Sequence, residues 1–176
     1  TAWDISTAFY SAKFFSVTAQ AISPQGIFFK SDGTTFYVLD AQNKIIYQYT
    51  CGTAWDISTG SYASKSFSVN TQEGQPRGIC FKSDGTVLYA VGTGIDTVFQ
   101  YSCATAWDVS TSSYGSKAFF VGAGQETSPT DVQFNDDGTK FYVAGSGNDS
   151  IYQYSCATAW DVSTASSASK SFFVGT

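Results

Sequence analysis

Thr53-Ala54-Trp55-Asp56 is restated at Thr105-Ala106-Trp107-Asp108 and at Thr158-Ala159-Trp160-Asp161, and Thr1-Ala2-Trp3-Asp4 begins the chain in the same words. Successive tryptophans stand 52, 52 and 53 residues apart. An interval of this size, held through the chain, marks an array of like supersecondary units. Working outward from Trp55, the residues on either side fall into short runs rich in Phe, Tyr, Val and Ile, separated by turn residues. The first unit predicts strands over Gly26–Lys30, Thr35–Asp40, Ile45–Cys51 and Lys65–Val69, with a tight Ser31-Asp32-Gly33 turn. The second repeats them at Gly78–Lys82, Val87–Val91, Thr97–Cys103 and Lys117–Val121. The third repeats them at Asp131–Asn135, Lys140–Ala144, Ser150–Cys156 and Lys170–Val174.

Side-chain parity points to sheets covered on both faces. Along Ile45–Cys51, Ile45, Tyr47, Tyr49 and Cys51 point one way, and Ile46, Gln48 and Thr50 the other. The first run of each unit is apolar on both sides (Ile27, Phe28, Phe29), as a strand between neighbours must be. One four-stranded meander cannot bury two such faces, whereas units stacked about an axis can. Helical periodicity is absent, so α and α/β folds are excluded. The expectation is an all-β chain of three β-propeller blades plus one extra outer strand. Residues 1–20 form the extra strand, 21–70 blade 1, 71–122 blade 2 and 123–176 blade 3.

Composition narrows the function classes. Aromatic residues make up 17% and charged residues 13% of the chain, and the net charge is −5. The nine Lys and Arg are scattered singly, which excludes the basic patch that nucleic acid requires. No apolar run approaches the roughly 20 residues that span a bilayer as a helix, so no membrane insertion is expected. There is no methionine and no signal-peptide pattern, and the chain starts within the phase of its own repeat. That favours a processed or partial product of an extracellular or virion surface. Cys51, Cys103 and Cys156 occupy one equivalent position in successive units, too far apart to pair with each other. Small buried thiols are the simpler reading of all four cysteines. With no histidine and no Cys-x-x-Cys, no metal or other cofactor is implied, and no Ser-His-Asp or Cys-His pair can form.

Pro-x-Gly-Ile-x-Phe-Lys-Ser-Asp-Gly-Thr-x-x-Tyr-Val followed by Ile-Tyr-Gln-Tyr resembles the YVTN/NHL-like β-propeller repeats. The Thr-Ala-Trp-Asp-Val-Ser-Thr version is similar to repeats of bacterial surface proteins and of structural proteins of marine phages. The resemblance covers essentially the whole chain. It implies a propeller used for adhesion, scaffolding or recognition.

Three blades fall short of the four to eight of a closed ring. An open stack leaves an apolar face at each end, so further blades are expected, from other copies of the chain or from a longer chain. Two loop sets vary between units. One is Asp40–Lys44, Gly92–Asp96 and Gly145–Asp149, and the other is Asn70–Gln75 and Gly122–Ser128. Diversified loops on a constant scaffold suit ligand contacts. The candidate ligand-binding residues are Asn43, Lys44, Glu73, Arg77, Asp96, Glu126, Asp131, Asn148 and Asp149. Arg77, Gln25 and Thr130 are further expected to point into a central channel. Trp3, Trp55, Trp107 and Trp160, constant between units, are expected as packing anchors, with each following Asp as a turn cap. No residue is singled out as catalytic. These features lead to the expectation of a non-enzymatic structural or adhesive module acting through protein-protein packing. A lectin-like module binding surface glycans is the alternative, and a propeller hydrolase or lyase the third reading.

Overall fold

The computed structural model describes residues 4–123 and 125–175. It consists of three four-stranded antiparallel sheets. The first holds β1 (Pro24–Phe29), β2 (Thr35–Asp40), β3 (Ile45–Cys51) and β4 (Gly60–Ser68). The second holds β5 (Pro76–Phe81), β6 (Val87–Gly92), β7 (Thr97–Cys103) and β8 (Ser112–Phe120). The third holds β9 (Pro129–Phe134), β10 (Lys140–Gly145), β11 (Ser150–Cys156) and β12 (Ala165–Phe173). Within each sheet neighbours in sequence are neighbours in space, as in a meander. The first strands β1, β5 and β9 pack beside one another around a common axis, so the sheets are blades of a propeller.

Glycine sets the spacing at the axis. A Cβ on Gly26 would lie 2.8 Å from the Arg77 carbonyl oxygen, and one on Gly78 would lie 2.7 Å from Asp131 Cα. Backbones this close exclude any side chain between them.

At the opposite side of each blade the Asp-Gly turn and the Thr-Ala-Trp-Asp loop form one device. Gly33, Gly85 and Gly138 have φ of 71°, 75° and 70°. Their bare Cα surfaces are roofed by the rings of Trp55, Trp107 and Trp160, which a Cβ would meet at 2.4 Å or less. Each Trp N–H donates to the glycine carbonyl at 2.9 Å. The following Asp accepts from the N–H two residues on, at 3.1 Å in each blade, capping a single 3₁₀ turn. Trp3 lies outside the described residues.

The outer strands start earlier than their sequence suggests, at Gly60, Ser112 and Ala165. Each carries a bulge, which places Ser64, Ser116 and Ser169 at positive φ and shifts register against β3, β7 and β11. The extra residues break the alternation that betrays a strand. Residues 11–17 repeat this conformation ahead of the first blade, with Ala12 at φ 58°, but have no strand partner.

The core lies between blades. Tyr37, Leu39 and Ile46 of blade 1 cluster with Ile79, Phe81 and Leu88 of blade 2, and Tyr89, Val91 and Val98 with Val132, Phe134 and Phe141 of blade 3. One cross-strand row stitches each junction. Tyr37 pairs in register with Gln48, and Gln48 with Lys65. Their polar ends reach the next blade's tryptophan loop. Tyr37 Oη donates to the Trp107 carbonyl at 2.7 Å, Gln48 Oε1 accepts from Val109 N–H at 3.1 Å, and Lys65 pairs with Asp108 at 2.6 Å. Tyr89, Gln100 and Lys117 do the same to Trp160, Val162 and Asp161, at 2.7, 3.0 and 2.6 Å. All four cysteines are buried free thiols, and burial pushes Cys156 up to about 11.

Candidate functional site

Where the inner strands start, a polar cleft of about 400 Å³ opens between Gln25, Arg77, Thr93, Ser128, Thr130 and Ser146. A second hollow of about 260 Å³ shares Gln25, Arg77 and Thr130 with it and adds Asp131. The local cause is the opening of each inner strand on Pro24, Pro76 or Pro129. Proline ends the main-chain ladder there, and the next residue (Gln25, Arg77 or Thr130) lines the axial cleft.

Arg77 is half-buried and has no ion-pair partner among the described residues. Asp131 occupies the position that is Gly26 and Gly78 in the other two blades. It has an exposed flank, with no described blade packed against that flank, yet burial of its carboxyl against the surrounding chain pushes its pKa up. A hydrogen bond from Val132 N–H at 2.9 Å opposes that shift without cancelling it. The cleft and the hollow, which share Gln25, Arg77 and Thr130, together hold one guanidinium with no ion-pair partner among the described residues, one carboxyl of raised pKa and several neutral hydroxyls. Such a set can bind an anion and move a proton.

The loop carboxylates have a different employment. Glu73 and Glu126, expected among ligand contacts, are fully buried. Glu73 Oε1 accepts from Gln75 and Gly94 N–H at 2.8 and 2.9 Å, and Glu126 Oε1 from Ser128 and Gly147 N–H at 2.8 Å each. They clamp the two variable loops of their blades together. Blade 1 does this from the other side. Asp40, also fully buried, accepts from Ile22, Ser23 and Gln42 N–H and from Asn43 Nδ2 at 2.7–3.1 Å. Register aligns Asp40 with Gly92 and Gly145, each opposite the strand-opening proline. The N–H groups of Ala21, Glu73 and Glu126 donate to the carbonyls of Val17, Val69 and Val121, aligning those three. The clamp is therefore Ala21 with Asp40 in blade 1, and Glu with Gly in blades 2 and 3. A Cβ on Gly145 would lie 2.4 Å from Glu126 Cδ, so the glycine makes room for the glutamate.

The other candidates sit on these rim loops. Asn43 serves Asp40. Lys44, Asp96 and Asp149 share one left-handed position, with φ of 55°, 51° and 48°. Asp96 Oδ1 is buried without a partner, and burial and then Glu126 raise its pKa. Asn148 Nδ2 bonds the Gln125 carbonyl. Arg77 and Asp131 are thus brought together at the axis, and the remaining seven are not. Trp55, Trp107 and Trp160 lie under the Asp-Gly turns, on the other side of the blades.

Sequence reasoning missed the Tyr-Gln-Lys row. Its signal was present, because a glutamine and a lysine recur 11 and 28 residues after each of Tyr37, Tyr89 and Tyr142. Identical polar residues at core-facing positions of every unit imply a shared partner.

No protein-family model and no curated relative matches the chain. Solved structures do. A "putative 6-phosphogluconolactonase" from Bacteroides fragilis superposes with a TM-score of 0.62 at 16% identity, over 86% of this chain and 39% of that one. A protein of the same description from Bacteroides uniformis gives 0.59 at 14%, over 90% and 44%. A protein from Lactobacillus plantarum gives 0.60 at 14%, over 86% and 42%. The chain spans about two-fifths of the length of these neighbours, and at this identity the likeness establishes the propeller fold. It also corrects the expectation of a non-enzymatic structural or adhesive module. Two of these neighbours bear the name of a sugar-phosphate enzyme, and none of the three bears that of a surface, virion or adhesive protein.

Proposed function

We propose that the chain contributes part of the axial site of a propeller that binds a small anionic sugar acid or its lactone and hydrolyses the lactone. The observation that carries this reading is the meeting of Arg77 and Asp131 in one cleft at the start of the inner strands. Arg77 supplies a fixed cation for a phosphate or carboxylate, in a fork geometry that suits planar anions. Thr93, Ser128, Thr130 and Ser146 offer hydroxyls to sugar oxygens. Asp131, ionised, takes a proton from the water that attacks the lactone carbonyl and returns it to the ring oxygen as the acyl C–O bond breaks, leaving the open hydroxy acid and an ionised Asp131. Its raised pKa makes it a stronger base than an ordinary aspartate. The names borne by the Bacteroides neighbours support the substrate class, and the repeat words Pro-x-Gly-Ile and Tyr-Gln-Tyr support, at the level of family, a YVTN/NHL-like propeller.

The test uses 6-phosphogluconolactone, followed by acid release above the spontaneous rate. Arg77→Ala is expected to weaken binding of 6-phosphogluconate about tenfold or more. Asp131→Asn is expected to abolish enhanced hydrolysis while leaving that binding nearly intact. Because the Asp131 pKa is raised, activity should fall with decreasing pH earlier than an ordinary aspartate would dictate. A wild-type chain with neither saturable binding nor enhanced hydrolysis refutes the reading.

A further inference from the structure

We propose that the chain associates head-to-tail with a second copy of itself, the outer face of blade 3 docking on the outer face of blade 1 through the Tyr-Gln-Lys row already used twice within the chain. Each internal junction joins a Tyr-Gln-Lys face to a Trp-Asp-Ile/Val loop. Blade 3 ends on the first half of that pair. Tyr142, Gln153 and Lys170 are in register across β10, β11 and β12 and have no partner among the described residues. Blade 1 ends on the second half, with the Trp55 carbonyl, Asp56 and the Ile57 N–H and no blade against them among the described residues. The apolar filling is unpaired in the same sense. Ile27 is 61% exposed, while its equivalents Ile79 and Val132 are 3% and 1% exposed. Ile151 is 36% exposed, while its equivalents Ile46 and Val98 are at 0%. The two free faces are the two halves of one interface, so the partner that suits both is a copy of this chain.

Residues 11–17 define how the copies meet. Lys13 pairs with Asp56 at 2.6 Å, and Phe15 meets Tyr49 edge-on at 5.6 Å. Lys65 with Asp108 and Phe67 with Tyr101 do the same from β4, at 2.6 and 5.1 Å. The leading segment therefore fills, without strand pairing, the place that Lys170 and Phe172 of the arriving copy take in the docked state. Docking displaces it. At the axis the new junction is held wider than the internal ones, because Asp131 stands where Gly26 and Gly78 allow close approach. The inner strands then splay and keep Asp131 in an open cleft beside the partner's inner strand. The proposal goes beyond the lactone reading and fails separately from it, since it is read in mass alone.

Sedimentation equilibrium of the full chain tests it. A species of twice the 18.9 kDa chain mass is expected, dissociating on dilution. Lys170→Asp and Asp56→Lys should each weaken dimerisation about tenfold or more. An equimolar mixture of the two should recover it, because both junctions of a mixed pair are complementary. Lys13→Ala, which loosens the competing segment, should strengthen it. Ile27→Glu, at an exposed site that does not burden folding, should abolish it. A wild-type chain that is monomeric at every concentration overturns the proposal, and a further blade of a longer chain is then the occupant. A mixture that stays monomeric overturns it also, as does a Lys13→Ala variant that associates less.

Discussion

Moving the loop clamp of blade 1 into the form used by blades 2 and 3 tests the alignment of their loops directly. Asp40→Gly removes a buried carboxylate that accepts four hydrogen bonds, three of them from backbone N–H groups. Each donor left buried and unmade costs about 1–3 kcal/mol, but Ile22 is 64% exposed, so water recovers part of the loss. A net cost of about 3 kcal/mol follows, or a fall of about 6–12 °C in Tm for a chain of this size. Ala21→Glu alone forces a second carboxylate into a fully buried site beside Asp40 and costs a similar amount. In the double variant the new glutamate occupies the space vacated by Asp40 and meets the same two loops, as Glu73 and Glu126 do. The double variant should then lie within about 1 kcal/mol of wild type, giving a coupling energy of several kcal/mol, well above what distant sites show. Urea titrations of the four chains supply the cycle. Additive losses would refute the equivalence of Ala21 with Glu73 and of Asp40 with Gly92.

Three further outcomes follow from the junctions. Gln100→Ala strands the buried Val162 N–H and should cost about 1–3 kcal/mol, while Gln153→Ala, on the open face, should stay within about 0.5 kcal/mol; chemical denaturation separates them. Trp107→Ala strips the ring from Gly85 and from Phe28 and Phe81 and should cost about 3 kcal/mol, whereas Trp55→Ala, 60% exposed, should cost under about 1, read as melting temperatures. Asp84, Asp108 and Asp161 have lowered pKa values, Asp84 to about 2, against the burial that alone would raise them, through lysine and hydroxyl partners. A depressed carboxylate stabilises the fold above its unfolded value near pH 4, and the benefit is lost as pH falls through the folded value. Melting temperature should therefore drop steeply between about pH 4 and pH 2, and Lys117→Ala should flatten part of that slope.

Strand existence and order were legible because the period of two and the Asp-Gly turns recur in every unit. Thr35–Asp40 and Ile45–Cys51 were read to the residue. The outer strands were cut short because the bulge at Ser64, Ser116 and Ser169 inserts residues that fall out of alternation. Arg77 was legible as an axial residue because it follows a strand-opening proline. Asp131 was named but not its environment, which depends on the convergence of three inner strands far apart in sequence. Glu73 and Glu126 look like exposed loop charges, since nothing local records that two loops close over them. Their only trace is in the partner positions, where an aspartate in one unit faces glycines in the others.

The outer strands of blades 1 and 2 have their main chain in one sheet and their lysine in the next blade's tryptophan loop. In the monomer β4 and β8 can therefore fray only by pulling such a stitch, whereas Lys170 of β12 has no partner among the described residues. Thermal loosening should run backwards along the chain like a zip, from β12 toward β1. Amide protons of β11 and β12 should then exchange before those of β7 and β8, although the two pairs carry almost the same residues.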